Sequence, residues 1–500
     1  MTDRSRYRRL PVWPVPFLWT VLLGSWGLSR QHSVWRDEAA TWQVALRSTG
    51  EIVCMLEHVD VVHGLYYLFM HGLFECFGPS VTVLRLPSVL AVAVGAACVA
   101  ALGRRLAGSP VGLGGGMVFG LLPSVQFHLQ EGRPYGLVAA GSGVSTLLLV
   151  RVLQGRGSRW AHWTGYGCAV LVCGLLNWLS LLVLPAHLAT LAWARAARGT
   201  WIAWAVSSTA ATAGVAPLIL FSRAQSGQVS WIPPLTWHML IGPAVLLAIA
   251  GLGALLDRPR TGRLSATAVG LPLLAVPQLA LMGISLFKPL FVDRYILFGL
   301  LGAALMTGVV LGALVRAVSR RSRSASRWVL PTAIAVIMAA LLPQALAKRS
   351  PQSRVDDVMA VAARVERLKE PEDAVLFVPA ARRDTRMVSP YAFEGLQDIA
   401  LEETPERSGT LKGVEWDPVR IRAEILARRR VVLVTDAAEV AKPTASSRDE
   451  AKISTLRTYF TPVADEQVRG RRVTVYERLA PGRPPRPLPA SPLRVPEDTR

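Results

Sequence analysis

The sequence predicts a polytopic α-helical membrane protein with a C-terminal extracytoplasmic α/β domain. Three observations carry that prediction. Apolar runs of about 20 residues recur up to residue 346, each long enough to cross a hydrocarbon core of roughly 30 Å. Of the 500 residues, 51% are hydrophobic and the mean hydropathy is +0.35, too apolar for a water-soluble chain of this size. From Arg349 onward the runs stop and helical and strand patterns of a soluble domain begin.

The net charge of +21 does not point to nucleic acid, because of where it sits. Residues 1–347 hold 27 basic and 10 acidic side chains, and residues 348–500 hold 28 and 24. The excess lies between apolar runs, where orientation signals belong. Basic clusters fall at 4–9, 104–105, 151–159, 195–198, 258–263 and 316–327. If all face the cytoplasm, the intervening runs must come in pairs, and they do: 111–128 with 134–150, 161–178 with 181–194, 200–221 with 238–256, and 266–287 with 295–315. Run 10–29 leads out, 83–103 returns and 328–346 exits, giving about 11 spans with the N-terminus inside and the C-terminus outside. The stretch 63–77 is short for a span and reads as interfacial or re-entrant. The first run is too long for a signal peptide and lacks a small-residue cleavage site, so it reads as a retained anchor.

This topology places four polar segments on the outer side: the loop with Asp37 and Glu38, the turn 130–135, the segment 223–237 and the turn 288–294. In the C-terminal domain, 354–369 has helical periodicity, 374–378 and 431–435 read as buried strands, 417–430 as a helix between them and 471–477 as another strand. The division is therefore a transmembrane domain over 1–347, an extracytoplasmic α/β domain over 348–480, and a Pro- and Arg-rich tail over 481–500 with nothing to pack. The five cysteines (54, 76, 98, 168 and 173) show no metal-ligand spacing and read as packing thiols without a disulfide. Gly112–Gly116 lies within an apolar run and reads as close helix packing, not a phosphate loop.

Acidic residues are the first guide to chemistry. Five of the ten in residues 1–347 (Asp37, Glu38, Glu51, Glu57 and Asp60) lie in the first loop. Glu51 and Glu57 fit the solvated face of a short surface helix. Asp37 and Glu38, bracketed by Trp35, Arg36 and Trp42, are the site candidates. Asp37 can accept a proton from a hydroxyl, and partial desolvation can raise such a carboxyl's pKa toward that task. Glu38 points elsewhere whatever the backbone, so the two are not a paired dyad. Asp60 and His63, followed by Tyr66 and Tyr67, read equally as site residues or as interfacial anchors. Glu131 and Arg133 flank a turn, either as an internal salt bridge or with Arg133 as a cation for phosphate, which the planar guanidinium fork suits. Lys288, Arg294 and Tyr295 raise the same question, with a lipid phosphate or a carboxylate such as Asp293 or Glu131 as partner. Trp231–Pro234 reads as shaping an interfacial loop.

Five motifs in order then resemble a known group: Trp35-x-Asp37-Glu38, Asp60-x-x-His63-Gly64-x-Tyr66-Tyr67, Leu84-Arg85-Leu86-Pro87-Ser88, Gln130-Glu131-x-Arg133-Pro134-Tyr135 and Asp293-Arg294-Tyr295. Together they resemble the GT-C-fold glycosyltransferases, in the bacterial branch related to protein O-mannosyltransferases and the aminoarabinose transferase of lipid A, and most of all actinobacterial mannosyltransferases. The resemblance implies a polyprenyl-phosphate-linked sugar donor used outside the cytoplasmic membrane, and a glycan, lipid or protein acceptor. It implies that Asp37, with Glu38 beside it, activates the acceptor. It implies that Arg133, Arg294 and Lys288 hold the donor phosphate, with Asp60, His63, Glu131, Tyr135 and Tyr295 lining the substrate site. Where many relatives have His-Pro-Pro-Leu-Tyr-Tyr, this chain has His63-Gly64-Leu65-Tyr66-Tyr67, a looser segment. Some members of the group use a divalent metal; a lone Asp-Glu without further ligands favours none, and no cofactor is expected.

The expectation is an inverting glycosyltransferase. Its rival, a flippase for a lipid-linked sugar, calls for charges buried in mid-span and helices broken near the midplane. Pro217, Pro272 and Pro277 do interrupt runs, but charged residues within the runs are nearly absent. A third reading, a scaffold whose outer domain binds wall polymers, is opposed only by the intact Asp37.

Overall fold

The computed structural model describes residues 11–28, 33–155, 159–225, 231–259, 263–442 and 446–479. The basic cluster 4–9 and the tail 481–500 lie outside the described residues. Counting only described residues, the chain forms two compact units, one drawn from Met1–Leu28, Val61–Tyr66 and Arg85–Arg349, the other from Ser29–Asp60, Tyr67–Leu84 and the residues from Ser350 on. The first loop, with Asp37 and Glu38, thus groups with the C-terminal α/β domain.

The helices begin with α1 (Pro14–Ser25), α2 (Arg36–Ala45), α3 (Thr49–His58), α4 (Gly64–Phe77) and α5 (Val81–Leu106). They continue with α6 (Ser109–Leu121), α7 (Pro123–His128), α8 (Tyr135–Leu153), α9 (Arg159–Leu176) and α10 (Val183–Trp193). The last of the apolar series are α11 (Arg198–Ala224), α12 (Trp237–Leu256), α13 (Ala266–Ser285), α14 (Leu300–Ser319) and α15 (Arg323–Arg349). Among the described residues, seven helices are long and apolar enough to cross a membrane: α5, α8, α11, α12, α13, α15 and Asp293–Ser319, in which a 3-10 turn runs into α14. Pro14–Ser25, Ser109–Leu121 and Trp178–Trp193 are apolar but shorter. The chain is a multi-pass membrane protein.

Run 111–128, which reads as uninterrupted in the sequence, is broken, and the boundary between runs 161–178 and 181–194 also has a local cause. Run 111–128 becomes α6 and α7 because Pro123 cannot donate the next helical hydrogen bond and drives Leu122 to an extended ψ of 133°. Between α9 and α10, Asn177 turns extended and its side chain accepts the Leu179 amide at 3.2 Å, starting a 3-10 turn. The stretch 63–77 forms a 3-10 turn and then α4, whose 14 residues span about 21 Å, short of the hydrocarbon core. Glu51 and Glu57 both lie on α3, where Ser48 and Glu51 form a reciprocal capping box.

Glycine sets the helix spacing in the first unit. A Cβ on Gly112 would lie 2.3 Å from the Ala100 carbonyl oxygen, and one on Gly116 would lie 2.8 Å from that of Ala96. On α14, a Cβ at Gly308 would meet the Val111 carbonyl oxygen at 2.5 Å, and one at Gly302 that of Gly270 at 2.3 Å. Helix backbones touch here, which only residues without side chains permit. The packing reading of Gly112–Gly116 holds. Cys98 and Cys173 are buried as packing thiols, whereas Cys54, Cys76 and Cys168 are exposed to the surroundings of the chain; all five are free thiols.

In the second unit the C-terminal domain comprises α16 (Val358–Leu368), β1 (Ala374–Val378), α17 (Asp384–Val388), β2 (Gln397–Asp398), β3 (Leu401–Glu403), β4 (Val414–Glu415), α18 (Pro418–Leu426), β5 (Arg430–Asp436), α19 (Ser447–Tyr459), β6 (Phe460–Val468) and β7 (Arg471–Arg478). The main sheet has the order β2-β1-β5-β7-β6, parallel between β2, β1 and β5 and antiparallel from β5 onward. Strand alternation divides its core. Val375, Phe377, Val432 and Val434 pack with Val361 and Val365 of α16, while Leu376, Val431 and Leu433 pack with Ile421 and Ile425 of α18 and Leu456 of α19.

Candidate functional site

In the first unit, the turn before α8 is fixed by buried polar groups. Ser88 Oγ on α5 donates to the Glu131 carbonyl at 2.6 Å and lies 3.3 Å from that of Arg133. Gln130 Nε2 donates to the Gly24 and Trp26 carbonyls at 2.6 and 2.9 Å, where α1 runs out of internal donors. Glu131 binds the His128 ring nitrogen, and both are buried. The Glu131 carboxylate therefore meets a histidine that sequence reasoning did not single out.

Arg133 is 7% exposed, and its Nη2 lies 3.3 Å from His63 Nε2. The turn carrying His63 is held by the Val61 amide, which donates to Gln225 Oε1 at 3.0 Å. Two residues beyond Arg133 begins the 19-residue helix α8, whose N-cap, Pro134, offers no side-chain hydrogen bond. A helix N-terminus with an arginine beside it attracts anions. Tyr135 connects the second arginine: the Arg294 guanidinium lies over its ring at 5.6 Å, over Trp231 at 5.3 Å and over Tyr295 at 5.8 Å. Rings against a guanidinium face hold it by cation–π attraction and leave its in-plane N–H edge to acceptors. Tyr135 and Tyr295 themselves stand 6.2 Å apart, and His128 packs edge-on to Tyr135 at 5.6 Å. Asp293 Oδ1 accepts the Arg294 amide at 2.9 Å and orients the turn.

The first unit thus brings His63, Glu131, Arg133, Tyr135, Arg294 and Tyr295 into one chain of contacts. His128, Ser88 and Trp231 join them; Trp231, read from the sequence as a loop-shaping residue, covers Arg294. Lys288 stands exposed in the turn after α13. Tyr66 is fully buried.

In the second unit, Asp37 and Glu38 occupy the first turn of α2, where the helix dipole favours carboxylates. Asp37 is half-buried and Glu38 fully buried, as expected of neighbours about 100° apart on a helix. Asp60 has a positive φ of 61°, tolerated by aspartate, and its carboxylate accepts the hydroxyl of fully buried Tyr67. His71 Nδ1 meets the carbonyl of Ala45, the last residue of α2, at 3.0 Å. Among the described residues, no group of three or more His, Cys, Asp or Glu is gathered closely enough to hold a metal ion.

No protein-family model matches the chain, and no curated protein sequence matches it. Solved structures do. The crystal structure of ArnT from Cupriavidus metallidurans in the apo state superposes with a TM-score of 0.61 at 14% identity, over 93% of this chain and 97% of that one. The same protein bound to undecaprenyl phosphate gives 0.54 at 12%, over 93% and 98%. The archaeal oligosaccharyltransferase AglB from Archaeoglobus fulgidus, in complex with an inhibitory peptide and a dolichol-phosphate, gives 0.50 at 10%, over 97% and 75%. At such identities the likeness is one of fold: a GT-C-like helical membrane region followed by a C-terminal mixed-sheet domain, with no specific subfamily indicated.

Proposed function

We propose that this protein is an inverting glycosyltransferase that moves a sugar, mannose as first candidate, from a polyprenyl-phosphate donor to an extracytoplasmic glycan, lipid or protein acceptor. One observation carries the reading: Arg133 stands two residues before α8, and Arg294 lies over the ring of Tyr135, the first residue of that helix, whose N-cap offers no side-chain hydrogen bond. Arginines beside a helix N-terminus suit a phosphate, which supports the reading. It is supported by the folds it accompanies, since ArnT is seen with undecaprenyl phosphate and AglB with a dolichol-phosphate. The reading keeps the topology of about 11 crossings with the N-terminus inside, residues 1–347 as the membrane domain and 348–480 as the outer domain.

In the proposed reaction the acceptor hydroxyl oxygen attacks the anomeric carbon while Asp37 takes its proton. The carbon–oxygen bond to phosphate breaks, and the electron pair leaves with the polyprenyl phosphate. Arg133 and Arg294 stabilise that departing charge, with Lys288 at the rim. A phosphate is already a good leaving group, so positioning and charge stabilisation are the protein's main tasks. The reading assigns Glu38 to catalysis beside Asp37, and Asp60, His63, Glu131, Tyr135 and Tyr295 to substrate binding. No metal is assigned a role.

The test uses purified protein in lipid, wild type and Asp37→Asn, with radiolabelled polyprenyl-phosphate mannose and a membrane extract of acceptors. Wild type should transfer label and Asp37→Asn should not, at equal donor binding. Equal transfer by both removes Asp37 as base. Donor binding without transfer by either, across a panel of sugars and acceptors, shifts the reading to a flippase.

A further inference from the structure

The first turn of α2 is held by residues more than 300 positions away in sequence. Helix α2 follows Trp35, whose side chain makes no capping hydrogen bond to the first-turn amides. Asp356 supplies the missing acceptor. Its Oδ1 accepts the Arg36 amide at 2.9 Å, and its Oδ2 accepts Arg36 Nε at 3.3 Å. On the other side of Trp35, the Val34 carbonyl accepts the Val358 amide at 2.7 Å. The Arg354 guanidinium lies over the Trp35 ring at 5.6 Å. Both flanks of Trp35 are therefore tied to residues 356–358, and the next residue after Arg36 is Asp37.

Asp356 is itself held. Arg471, fully buried at the start of β7, donates Nε and Nη2 to Asp356 Oδ2 at 3.1 and 2.9 Å. The rest of its fork binds Asp384 at 2.5 and 2.7 Å and Thr385 Oγ1 at 2.5 Å. β7 is an interior strand of the five-stranded sheet. A line of charge-assisted hydrogen bonds thus runs from the sheet to the backbone next to Asp37.

We propose that Asp356, locked by Arg471, is a positioning residue for the Asp37 carboxylate, so that the C-terminal domain sets the geometry of proton removal. The proposal rests on Asp37 being the base. Uncapped first turns lose their helical geometry most readily, and Asp37 sits in that turn. Catalysis is sensitive to far smaller errors: a misplacement of about 1 Å can cost about a hundredfold in rate.

The test measures kcat and donor KM for the full chain in lipid, with polyprenyl-phosphate mannose as donor and binding of the unglycosylated polyprenyl phosphate as a separate readout. Asp356→Ala should lower kcat by about 10- to 100-fold with donor KM and polyprenyl-phosphate binding unchanged. Asp356→Asn, whose amide oxygen still accepts the Arg36 amide but whose NH2 replaces the oxygen that Arg471 binds, should recover only part of that loss. A second variant guards against misfolding. Val358 is the first residue of α16, a position that accommodates proline, and Asp357 before it is already extended (φ −138°, ψ 100°). Val358→Pro therefore deletes the hydrogen bond to Val34 while keeping the helix, and it should lower kcat in the same selective way. Wild-type kcat in folded Asp356→Ala and Val358→Pro, with Asp37→Asn inactive, overturns the positioning role and leaves the base standing. Parallel loss of kcat and donor binding also overturns it, as the mark of a merely structural contact. Full activity of Asp37→Asn removes the reading beneath it, which is a distinct result.

Discussion

Arg133 and Arg294 differ in what keeps them in place, and that difference is measurable. Arg133 is buried against His63, whereas Arg294 is held among the rings of Tyr135, Trp231 and Tyr295. Lysine keeps the charge at either position but loses the two-pronged donation and the planar face. Arg133→Lys and Arg294→Lys should each weaken polyprenyl-phosphate binding by about 1.5–3 kcal/mol, roughly 10- to 150-fold, the range for hydrogen bonds to charged groups. Titration of a fluorescent polyprenyl phosphate would measure it, and unchanged affinity in both variants would take the phosphate away from this site. Asp356 is the residue whose titration matters to the fold. Burial alone would raise its pKa, but Arg471, Arg36 and Arg382, together with the Arg36 amide, outweigh burial and hold it below the usual carboxylate range. A carboxyl with a depressed folded pKa stabilises the fold fully above its unfolded value, about 3.9, and loses that contribution as pH falls through the folded value. Asp357 works the other way, because burial is the largest influence on it and pushes its pKa up. Urea unfolding followed by tryptophan fluorescence should show stability falling below about pH 4 in wild type and a flatter acid limb in Asp356→Asn. Parallel acid limbs would place the sensitivity elsewhere.

At the scale of elements, glycine decides how close the helices of the first unit come. Gly112→Ala would place a methyl group 2.3 Å from the Ala100 carbonyl oxygen, a contact with backbone that no rotamer change relieves. Overpacking of this kind costs typically about 1–3 kcal/mol. A lowered midpoint of thermal unfolding in detergent is expected, whereas Gly242→Ala, where nothing stands within 4 Å, should leave it unchanged. Equal midpoints would mean that α5 and α6 part without cost. Strand identity followed a similar logic of burial. β1 and β5 were readable because Ala374–Val378 and Val431–Val434 are apolar at every position, the mark of strands covered on both faces. β6 was not, because Pro462, Asp465 and Gln467 interrupt it and it is an edge strand with one face in water. α19 has no apolar pattern to read, because its charged sequence contains fully buried Lys452, whose ammonium is satisfied by Glu415, Asp449 and the Phe377 carbonyl.

On the scale of the whole molecule, chain order and spatial order part company. Residues 33–60 stand between two apolar runs in sequence, yet they fold with the residues beyond Ser350. A domain that looks like an appendage to a membrane region therefore shares a compact unit with the loop bearing the proposed base. This gives the acidic residues of that loop a use that composition alone could not: Asp37 and Glu38 sit on a helix whose capping acceptor, Asp356, comes from the C-terminal domain.

Sequence by itself determined the class of the protein, since water and hydrocarbon impose their demands on every apolar run independently of its neighbours. It also determined which residue types could do chemistry, because acids are so rare before residue 347 that Asp37, Glu38, Asp60 and Glu131 stand out. Only the tertiary structure decided partnership. Glu131 meets His128, Arg294 meets Trp231, and Arg36 meets Asp356 across 320 positions. Hydrogen bonds and cation–π contacts reach only a few ångströms, so which groups satisfy them depends on where the folded backbone brings them, and no local pattern in the chain encodes that.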